Sequence, residues 1–471
     1  MKSAVKAQTK SGKKEEKENE SPKEWKLEPE HEFRFEVDFG TTVKLKLIEG
    51  TAEIFGTEIG IGPEYEFSGR KVAVFTWHGK SSVEYLANET PMVSYLNMHL
   101  ALEQCREAAR ERGGPGPRVM IVGPEDVGKT SLTKILLSYA LRQGRQPIFV
   151  DLDTNEASLH YQPSFRNLYV NKIDDDDDTP TFNQGTVTIP GALTATPINQ
   201  ILDVEEGFGS SATTLPSIGS STTPIVYYYG YAEPGENVKL YKILTARLAN
   251  TVNLRLDQDE DARTSGLIID TSGLIDNNVG YEILQHCIQV FSANIIIVLG
   301  HERLYSDMAR LYKDQSDIKV LKLSKSGGVV NRDKMFRRQS QMRKIQEYFY
   351  GTSKVGLQPF NASIDFHSLS IYRVGFGSLA PSSALPIGID RKVSETQLVR
   401  VEPDETLRHS ILALITTDSP EEPALLEANV SGFLYVSEID NVKHKMTILS
   451  PCPGRLPKPY ALIGGFKWME A

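Results

Sequence analysis

A glycine-flanked turn holds the residues of this chain that are best suited to chemistry. Residues 123–130 are GPEDVGKT and fit the spacing G-x-x-x-x-G-K-[ST]. In such a turn, glycines let successive backbone N–H groups converge on a phosphate, and the N-terminus of the next helix adds partial positive charge. Lys129 can neutralise the β- and γ-phosphates, and the Thr130 hydroxyl can ligate Mg²⁺. Because an apolar run precedes the motif and a helical pattern follows it, the sequence predicts a nucleotide site.

A carboxylate at the end of a neighbouring strand is expected to face the metal. The segment PIFVDLD offers Asp151 and Asp153, and the segment GLIID offers Asp270. Asp270 also begins DTSG, which matches the D-x-x-G turn that GTPases use to sense a γ-phosphate. However, no guanine-specifying N-K-x-D or T-K-x-D follows the run IIIVLG, where the chain has LSKSGG instead. We therefore predict that the nucleotide is ATP rather than GTP.

A basic cluster follows in the segment NRDKMFRRQSQMRK, residues 331–344. It is predicted to form a helix and could be a solvated charged face. Beside a phosphate loop, it could equally supply arginines that cover a transferring phosphoryl group. The cations of this segment are Arg332, Lys334, Arg337, Arg338, Arg343 and Lys344.

Three domains are expected around these motifs, giving an α/β protein. Residues 27–112 contain short alternating segments such as TVKLKLIEG, which predict a small antiparallel β domain, followed by a helix at 94–111. Residues 113–351 alternate continuous apolar runs with helical stretches, which predicts a parallel sheet with helices on both faces. Residues 352–471 are predicted to be mixed but mainly β, with a hairpin turning at Asp440-Asn441.

Bulk composition excludes several classes of protein. A net charge of −9 does not indicate a general nucleic-acid binder, and three scattered cysteines argue against a disulfide framework or a zinc site. No apolar run is long enough to cross a bilayer, so no membrane partner is expected. Residues 1–26 are charged, lack the apolar core of a signal peptide, and are predicted to be a disordered tail.

Two further segments do not fit a compact domain. Residues 210–224, SSATTLPSIGSSTTP, form a low-complexity loop within the central domain. Residues 156–183 are about 28 residues long and carry five successive aspartates. Structureless loops of that length are uncommon inside a domain.

Several motifs together resemble the polynucleotide 5′-hydroxyl-kinase family. They are AEIFGTEI, KVAVFTWHG, PMVSYLN, GPRVMIVGPEDVGKTS, HERLYSDMARLY, KSGGVVNRD and EYFYG. The chain is most similar to the branch found as the ATP-binding subunit of the pre-mRNA 3′-end cleavage and polyadenylation factor, cleavage factor IA, in its fungal form. The resemblance runs from about Leu27 to the C-terminus. It implies an N-terminal β-sandwich-like domain, a central P-loop domain and a smaller C-terminal domain.

The resemblance also implies roles for individual residues. Glu32 and Lys71, which would otherwise be an ordinary edge-strand pair, should contact the adenine end of ATP. Thr130 and Asp153 should hold Mg²⁺, and Asp153 should also assist the attacking 5′-hydroxyl. Lys129, Asp153, Arg332 and Arg337 would be catalytic if the protein is a kinase, with the two arginines acting as a lid. The expected nucleotide-binding set is Glu32, Lys71, Gly123, Asp126, Val127, Gly128, Lys129, Thr130 and Ser131.

The chain departs from the family pattern where an RNA end would bind. In active animal members, as the resemblance implies, a threonine and a tryptophan clasp the terminal nucleotide. Motif alignment places Ala232 and Leu274 at these two clasp positions. A base-stacking aromatic contributes about 1–3 kcal/mol, so its loss should weaken binding of an RNA end. In the family pattern a glutamine follows the strand acid closely, but here the matching Gln184 is separated from Asp153 by residues 156–183. Removing these residues would leave the continuous segment DLDTNQGTVTIPG. We interpret the insertion as a translated intron or an error in the gene model, with a genuine disordered loop as the alternative.

Two functions remain open from the sequence. The first is a nuclear ATP-binding subunit required for endonucleolytic cleavage in polyadenylation-dependent pre-mRNA 3′-end formation. It would bind a partner subunit through the central domain and meet pre-mRNA within the multi-subunit complex, with ATP acting mainly structurally. The second is an active ATP-dependent polyribonucleotide 5′-hydroxyl kinase. The missing clasp favours the first.

Overall fold

The computed structural model describes most of the chain. The described residues are 4–10, 23–78, 90–155, 189–199, 203–205, 224–275, 277–351, 356–375, 396–417, 419–451, 456 and 459–469. Gln184, the low-complexity loop 210–224 apart from its last residue, and the aspartate-rich insertion 156–183 lie outside them. Among the described residues, no helix combines the length and the apolar character needed to span a bilayer.

The N-terminal part forms two four-stranded antiparallel sheets. Their orders are β2-β1-β4-β7 and β3-β8-β5-β6. Val43, Leu45 and Leu47 are buried and alternate with partly exposed lysines, which confirms the predicted half-buried strand. The strands are β1 (Ala4–Lys10), β2 (Lys23–Lys26), β3 (His31–Val37), β4 (Thr42–Glu49), β5 (Ala52–Ile54), β6 (Thr57–Ile59), β7 (Glu64–Phe67) and β8 (Arg70–Thr76).

The predicted disordered tail over residues 1–26 is wrong for β1 and β2. Strand β1 pairs antiparallel with β4 from Ala4, opposite Glu49, to Lys10, opposite Thr42. Strand β2 then pairs with β1. An edge strand offers unpaired N–H and C=O groups to any extended segment. The pairing therefore uses main-chain groups, which charge and composition do not reveal.

The central part is a seven-stranded sheet of order β12-β11-β10-β13-β9-β14-β15. Five neighbouring strands, from β10 to β15 in this order, are parallel, as predicted, but β11 runs antiparallel to β10 and β12. Continuous apolar runs predict burial on both faces but do not set strand direction. The strands are β9 (Arg118–Val122), β10 (Ile148–Asp151), β11 (Ala192–Pro197), β12 (Ile225–Tyr228), β13 (Leu267–Asp270), β14 (Ile295–Leu299) and β15 (Lys319–Leu323).

Helices cover both faces of this sheet. Met120 and Val122 pack in a core with the third and fifth helices, whereas Val119 and Ile121 pack in a separate core with the first and second. Alternate residues of β9 thus serve opposite cores, which explains its unbroken apolar run. The helices are α1 (Met92–Arg112), α2 (Lys129–Arg142), α3 (Val238–Gln258), α4 (Glu260–Ser265), α5 (Asn278–Val290), α6 (Glu302–Leu311) and α7 (Lys334–Tyr350).

The C-terminal part is a second seven-stranded sheet, of order β16-β21-β20-β19-β22-β17-β18. Asp440 pairs with Lys445, which confirms the predicted hairpin. All strand pairs except β17 with β22 are antiparallel. The elements are β16 (Phe360–Asp365), β17 (Ser370–Val374), β18 (Leu398–Val401), β19 (Ser410–Ile415), α8 (Glu422–Leu426), β20 (Val430–Asp440), β21 (Lys445–Ser450) and β22 (Tyr460–Lys467).

A close backbone approach joins the C-terminal sheet to the central one. The N–H of Gly465 donates at 2.7 Å to the carbonyl of Gly230, which is the second residue after β12. A Cβ on Gly464 would lie 2.5 Å from both the Gly230 carbonyl oxygen and the Tyr228 hydroxyl. Gly464 and Gly465 therefore let β22 pack closely against the segment that leads to Ala232.

This approach predicts that Gly464→Ala destabilises the protein by about 1–3 kcal/mol, because the added methyl group overpacks the junction. Gly465→Ala is the matched control, since its Cβ would meet the Gly230 oxygen at an ordinary 3.6 Å. Urea denaturation of the two variants measures the difference. Equal free energies of unfolding would contradict the tight junction.

The N-terminal sheets are fixed to α2, the helix that follows the phosphate loop. The Tyr139 hydroxyl donates to Glu53 at 2.5 Å, and the Ser138 hydroxyl donates to the Phe55 carbonyl at 3.3 Å. On the other side of Tyr139, the ring of His99 from α1 lies 5.4 Å away between centroids. His99 is 3% exposed. Burial, assisted by the neighbouring Arg106 charge, lowers the pKa of His99 to about 4 from 6.5.

The pKa of His99 predicts an acid-dependent loss of stability. Because the folded pKa lies below the unfolded one, the unfolded chain binds the proton more tightly between these values. The contribution of neutral His99 is complete above pH 6.5 and is lost as the pH falls towards 4. Relative to His99→Phe, the wild type should lose about 2–3 kcal/mol of unfolding free energy between pH 7.5 and pH 4.5. Urea denaturation at each pH tests this, and a pH-independent difference would refute it.

Candidate nucleotide-binding site

A cleft of about 1100 Å³ lies where the N-terminal sheet β3/β8, the phosphate loop and α7 meet. It contains all but one of the residues predicted to bind or act on a nucleotide. Gly123 is the exception and belongs to the loop backbone, where an added Cβ would lie 2.7 Å from the Leu299 carbonyl oxygen. The predicted residues that line the cleft are Glu32, Lys71, Asp126, Val127, Gly128, Lys129, Thr130, Ser131, Asp153, Arg332 and Arg337.

The phosphate loop connects β9 directly to α2. Gly128 has a φ of 90° at the start of the helix, a left-handed conformation that favours glycine. The turn therefore aims the N-terminal N–H groups of α2 into the cleft, where they can bind an anion. The Nζ atom of Lys129 donates to the Pro124 carbonyl at 2.8 Å. This contact holds the ammonium group against the loop.

Oxygen atoms suited to Mg²⁺ lie beside the loop. The Thr130 hydroxyl donates to the carboxylate of buried Asp270 at 2.6 Å. Asp270 reaches Thr130 because β13 pairs with β9. Hydroxyl and carboxylate oxygens are the ligands that Mg²⁺ prefers, so these residues fit the predicted metal.

The two acids of the DLD segment have different environments. Asp151 ends β10 and is buried, and its carboxylate accepts the backbone N–H of Asp153 at 3.0 Å. Asp153 follows the strand and lines the cleft. The strand ends at Asp151, so Asp153 lies outside its alternation. Asp153 therefore lines the cleft beyond the strand, while Asp270 is the acid in contact with Thr130.

The carboxylate of Asp126 accepts hydrogen bonds from both arginines that are expected to form a lid. Arg332 donates to it through its backbone N–H and its Nε atom, each at 2.9 Å, and Arg337 donates through Nη2 at 2.7 Å. Arg337 also lies 2.7 Å from the carboxylate of Glu125. Partial burial raises the pKa of Asp126, but the hydrogen bonds and charges of the arginines outweigh burial and hold that pKa below its ordinary value. Asp126 is thus ionised throughout the neutral range.

The expected helical position of Arg332 is wrong. Helix α7 begins at Lys334, and the side chain of Asp333 caps it by accepting the N–H of Phe336 at 2.6 Å. Arg332 precedes this cap. The chain is extended at Asp333, so Arg332 lies outside the helix that carries Arg337, yet both residues donate to Asp126.

At the opposite end of the cleft, Glu32 and Lys71 do not pair with each other. In the β3–β8 register, Glu32 lies opposite Phe75 and Lys71 lies opposite Glu36. Glu32 accepts from the Nε atom of Arg34 at 2.7 Å, while Lys71 lies 3.4 Å from Glu36. All of these side chains occupy one face of the sheet and line the cleft. This face forms the β3/β8 wall of the cleft, which is expected to contact the adenine end of ATP.

Sequence reasoning missed two contacts between this wall and the central domain. Arg34 donates to the Ser326 hydroxyl at 3.1 Å, and the ring of Phe39 lies 5.0 Å from that of Phe336. Strand alternation could have identified Arg34, since it shares the face of Glu32. The aromatic pair is separated by most of the chain, and no local pattern indicates it.

The two positions expected to clasp an RNA end, Ala232 and Leu274, share the cleft with Asp153. The hydroxyl of Thr154 donates to the Ala232 carbonyl at 2.7 Å. A Cβ on Gly235, just beyond Ala232, would lie 3.3 Å from the side chain of Leu274. Both clasp positions line the cleft. Their side chains are a methyl and an isobutyl group.

Three family models match consecutive parts of the chain. The N-terminal beta-sandwich domain of polyadenylation factor matches residues 26–109. The P-loop of the mRNA cleavage and polyadenylation factor CLP1 matches residues 123–165 and 181–351, and the pre-mRNA cleavage complex II protein Clp1 matches residues 357–470. The break between residues 165 and 181 falls within the aspartate-rich insertion.

Individual relatives are similar over nearly the whole chain. It is 41% identical to the mRNA cleavage and polyadenylation factor clp1 of Botryotinia fuckeliana, covering 94% of this chain and 93% of that one. It is 38% identical to the polyribonucleotide 5′-hydroxyl-kinase Clp1 of Homo sapiens, covering 95% and 96%. The fold matches that of Clp1p in a solved wild-type Clp1p–Pcf11p complex, with a TM-score of 0.78 at 24% identity over 99% of both chains. The chain therefore belongs to the CLP1 family of mRNA cleavage and polyadenylation factors.

Proposed function

We propose that this chain is the ATP-binding subunit of a nuclear mRNA cleavage and polyadenylation complex, and that it uses ATP mainly as a structural ligand. The observation that carries the proposal is the combination of a well-formed phosphate loop with clasp positions that lack a hydroxyl and an aromatic ring. The first feature supports retention of a nucleotide. The second removes the contacts that would seat an RNA end for phosphoryl transfer.

Retention of ATP is supported by contributions from three parts of the chain. The N-terminus of α2 and Lys129 meet the phosphates, and Thr130 with Asp270 and Asp153 supplies oxygens for Mg²⁺. The wall that contains Glu32 and Lys71 faces the opposite end of the cleft. A bound nucleotide would therefore contact two domains at once, which would stabilise their arrangement.

Loss of transfer is supported by the acceptor side of the cleft. Substitution of a stacking aromatic by leucine at position 274 removes a contribution of about 1–3 kcal/mol to nucleotide binding. The terminal base of an RNA would then lack its stacking contact, and its 5′-hydroxyl would not be held in position for transfer.

An active polyribonucleotide 5′-hydroxyl kinase is the second candidate. Its support is that Lys129, Asp153, Arg332 and Arg337 all line one cleft, which is the set a phosphoryl transfer needs. Relatives from several animals are named for this activity. In such an enzyme, Asp153 would accept the proton of the 5′-hydroxyl, and the arginines would stabilise charge on the transferred group.

The partner is proposed to be a subunit of the kind that Pcf11p represents in the solved complex of Clp1p. We place its binding surface on the central domain and expect pre-mRNA to be met only within the assembled machinery. A nuclear location follows from this role, since the related factors are named for pre-mRNA cleavage and polyadenylation.

Lys129→Ala should weaken ATP binding about 10- to 100-fold, because a charge-assisted contact to the phosphates is lost. Isothermal titration calorimetry of protein stripped of nucleotide measures this directly. Lys313→Ala, at an exposed position that does not line the cleft, is the control and should bind normally. The same Lys129→Ala protein should capture less of the partner subunit in a pull-down. Undiminished capture would rule out the structural role of ATP.

Wild-type protein incubated with γ-labelled ATP and a 5′-hydroxyl oligoribonucleotide should give negligible end labelling, because the clasp is absent. The double variant Ala232→Thr with Leu274→Trp should raise labelling by restoring the hydroxyl and the stacking ring. Gel analysis of the labelled oligonucleotide provides the measurement. Robust labelling by the wild type, abolished by Lys129→Ala, would establish the kinase instead.

A further inference from the structure

The loop of residues 230–236 forms part of the acceptor side of the cleft, and a cluster of three tyrosines packs behind it. We propose that this cluster is a positioning unit through which the C-terminal sheet sets the geometry of the acceptor side. Ala232 in the loop lines the cleft, whereas the three tyrosines are not among the described residues that line it. The inference goes beyond the proposed function, because it concerns how the cleft is built and applies whether ATP is a structural ligand or a substrate. The tyrosines are Tyr229, Tyr231 and Tyr241.

The three rings pack against one another. Tyr229 makes edge contacts with both of the other rings, at 5.2 Å to Tyr231 and 5.4 Å to Tyr241 between centroids, an arrangement that aromatic pairs favour. Burial raises the pKa of all three hydroxyls above the ordinary value of tyrosine, so each hydroxyl stays protonated and can donate a hydrogen bond. The cluster is therefore one packed unit with three donors.

Tyr229 organises the loop itself. Its hydroxyl lies 3.2 Å from the carbonyl oxygen of Glu233 and 3.1 Å from that of Pro234, and it accepts the N–H of Asn237 at 2.9 Å. Asn237 is the N-cap of α3, and its side chain also bonds the hydroxyl of Tyr231. One phenol group therefore fixes both the turn of the loop and the start of the helix that follows it.

The other two hydroxyls reach segments outside the loop. Tyr231 donates to the carbonyl of Val374 at 2.8 Å, at the end of β17 in the C-terminal sheet. Tyr241 donates to the carbonyl of Leu152 at 2.8 Å, in the DLD segment just before Asp153. The cluster thus connects the C-terminal sheet to both segments that border the acceptor side of the cleft.

Main-chain contacts make a second connection along the same route. The N–H of Gly465 in β22 donates to the Gly230 carbonyl, and the N–H of Gly230 donates to the carbonyl of Gly191 at 2.9 Å. The N–H of Gly191 in turn donates to the carbonyl of Thr154 at 2.9 Å. The hydroxyl of Thr154, a fully buried residue, donates to the Ala232 carbonyl. A continuous series of hydrogen bonds therefore runs from β22 through the loop to the segment that follows β10.

The phosphate loop is supported by other elements. Helix α2, which follows the loop, packs in a core with α1, and its Tyr139 is bonded to Glu53 of the N-terminal sheets. The tyrosine cluster donates its hydrogen bonds to the DLD segment, the 230–236 loop and β17. A partner that displaces β17 or β22 would therefore move the acceptor side of the cleft while the contacts to the phosphates stay in place.

Hydrogen-exchange mass spectrometry of the full chain tests the unit with variants that remove one hydroxyl and keep the ring. Tyr229→Phe and Tyr231→Phe should each accelerate exchange in residues 230–237 about three- to tenfold, because a hydrogen bond that holds the loop is lost. Tyr241→Phe should accelerate exchange in residues 151–155 in the same way. Exchange in α2 should stay at the wild-type rate, whereas a general loss of stability would raise it as well.

Tyr227→Phe is the matched control. Tyr227 lies on β12 beside the cluster, but its hydroxyl bonds that of Thr251 in α3 at 3.0 Å, so its loss should leave exchange in residues 230–237 unchanged. Isothermal titration calorimetry should show that Tyr231→Phe binds ATP with wild-type affinity.

Two results would overturn the unit. The first is unchanged exchange in residues 230–237 for both Tyr229→Phe and Tyr231→Phe, which would mean that the loop is held by its own turn. The second is an equal acceleration in α2, which would mean that the hydroxyls serve only general stability. Failure of the wild type to bind ATP would instead refute the proposed function and leave the exchange results standing.

Discussion

Parallel pairing of β10, β13 and β9 is the constraint on which the cleft depends. Asp151 lies opposite Asp270, and Asp270 lies opposite Ile121, so the carboxyl ends of the three strands reach one edge of the sheet together. Strand β9 continues there into the phosphate loop, which places Thr130 within hydrogen-bonding distance of Asp270. A slip of one residue would turn Asp270 to the opposite face and remove this contact. The register of a buried sheet thus determines the position of the oxygen atoms that are suited to Mg²⁺.

Charge pairing joins the parts of the chain that surround this edge. Asp126 is matched by Arg332 and Arg337, and Glu32 is matched by Arg34, which also contacts Ser326. A buried charge is costly unless it is paired and hydrogen-bonded. The same interactions that neutralise the cleft therefore hold the phosphate loop, the N-terminal sheet and α7 in one arrangement. Domain organisation and nucleotide binding share a physical basis here.

Holding a phosphate and transferring it depend on different parts of the cleft. Binding needs converging N–H groups, a lysine and oxygen ligands for Mg²⁺. These groups come from a short stretch around Lys129 and from one neighbouring strand. Transfer also needs an acceptor seated within reach of Asp153. Ala232 and Leu274, the positions expected to clasp that acceptor, line the same cleft and carry only apolar groups. Such a cleft can lose transfer while the loop retains its full geometry, which is the basis of the proposed structural role for ATP.

The sequence by itself determined the features that local patterns encode. The spacing of residues 123–130 predicted the loop between strand and helix, and apolar periodicity predicted the central sheet and the C-terminal hairpin, because backbone geometry and burial act over a few residues. Only the tertiary structure decided the pairing of β1 with β4, the reversed direction of β11 and the contact of Phe39 with Phe336. It also decided that Arg332, outside α7, shares Asp126 with Arg337. These features join segments far apart in the chain through main-chain edges, ring contacts and ion pairs, and such pairings have no periodicity that a linear sequence can display.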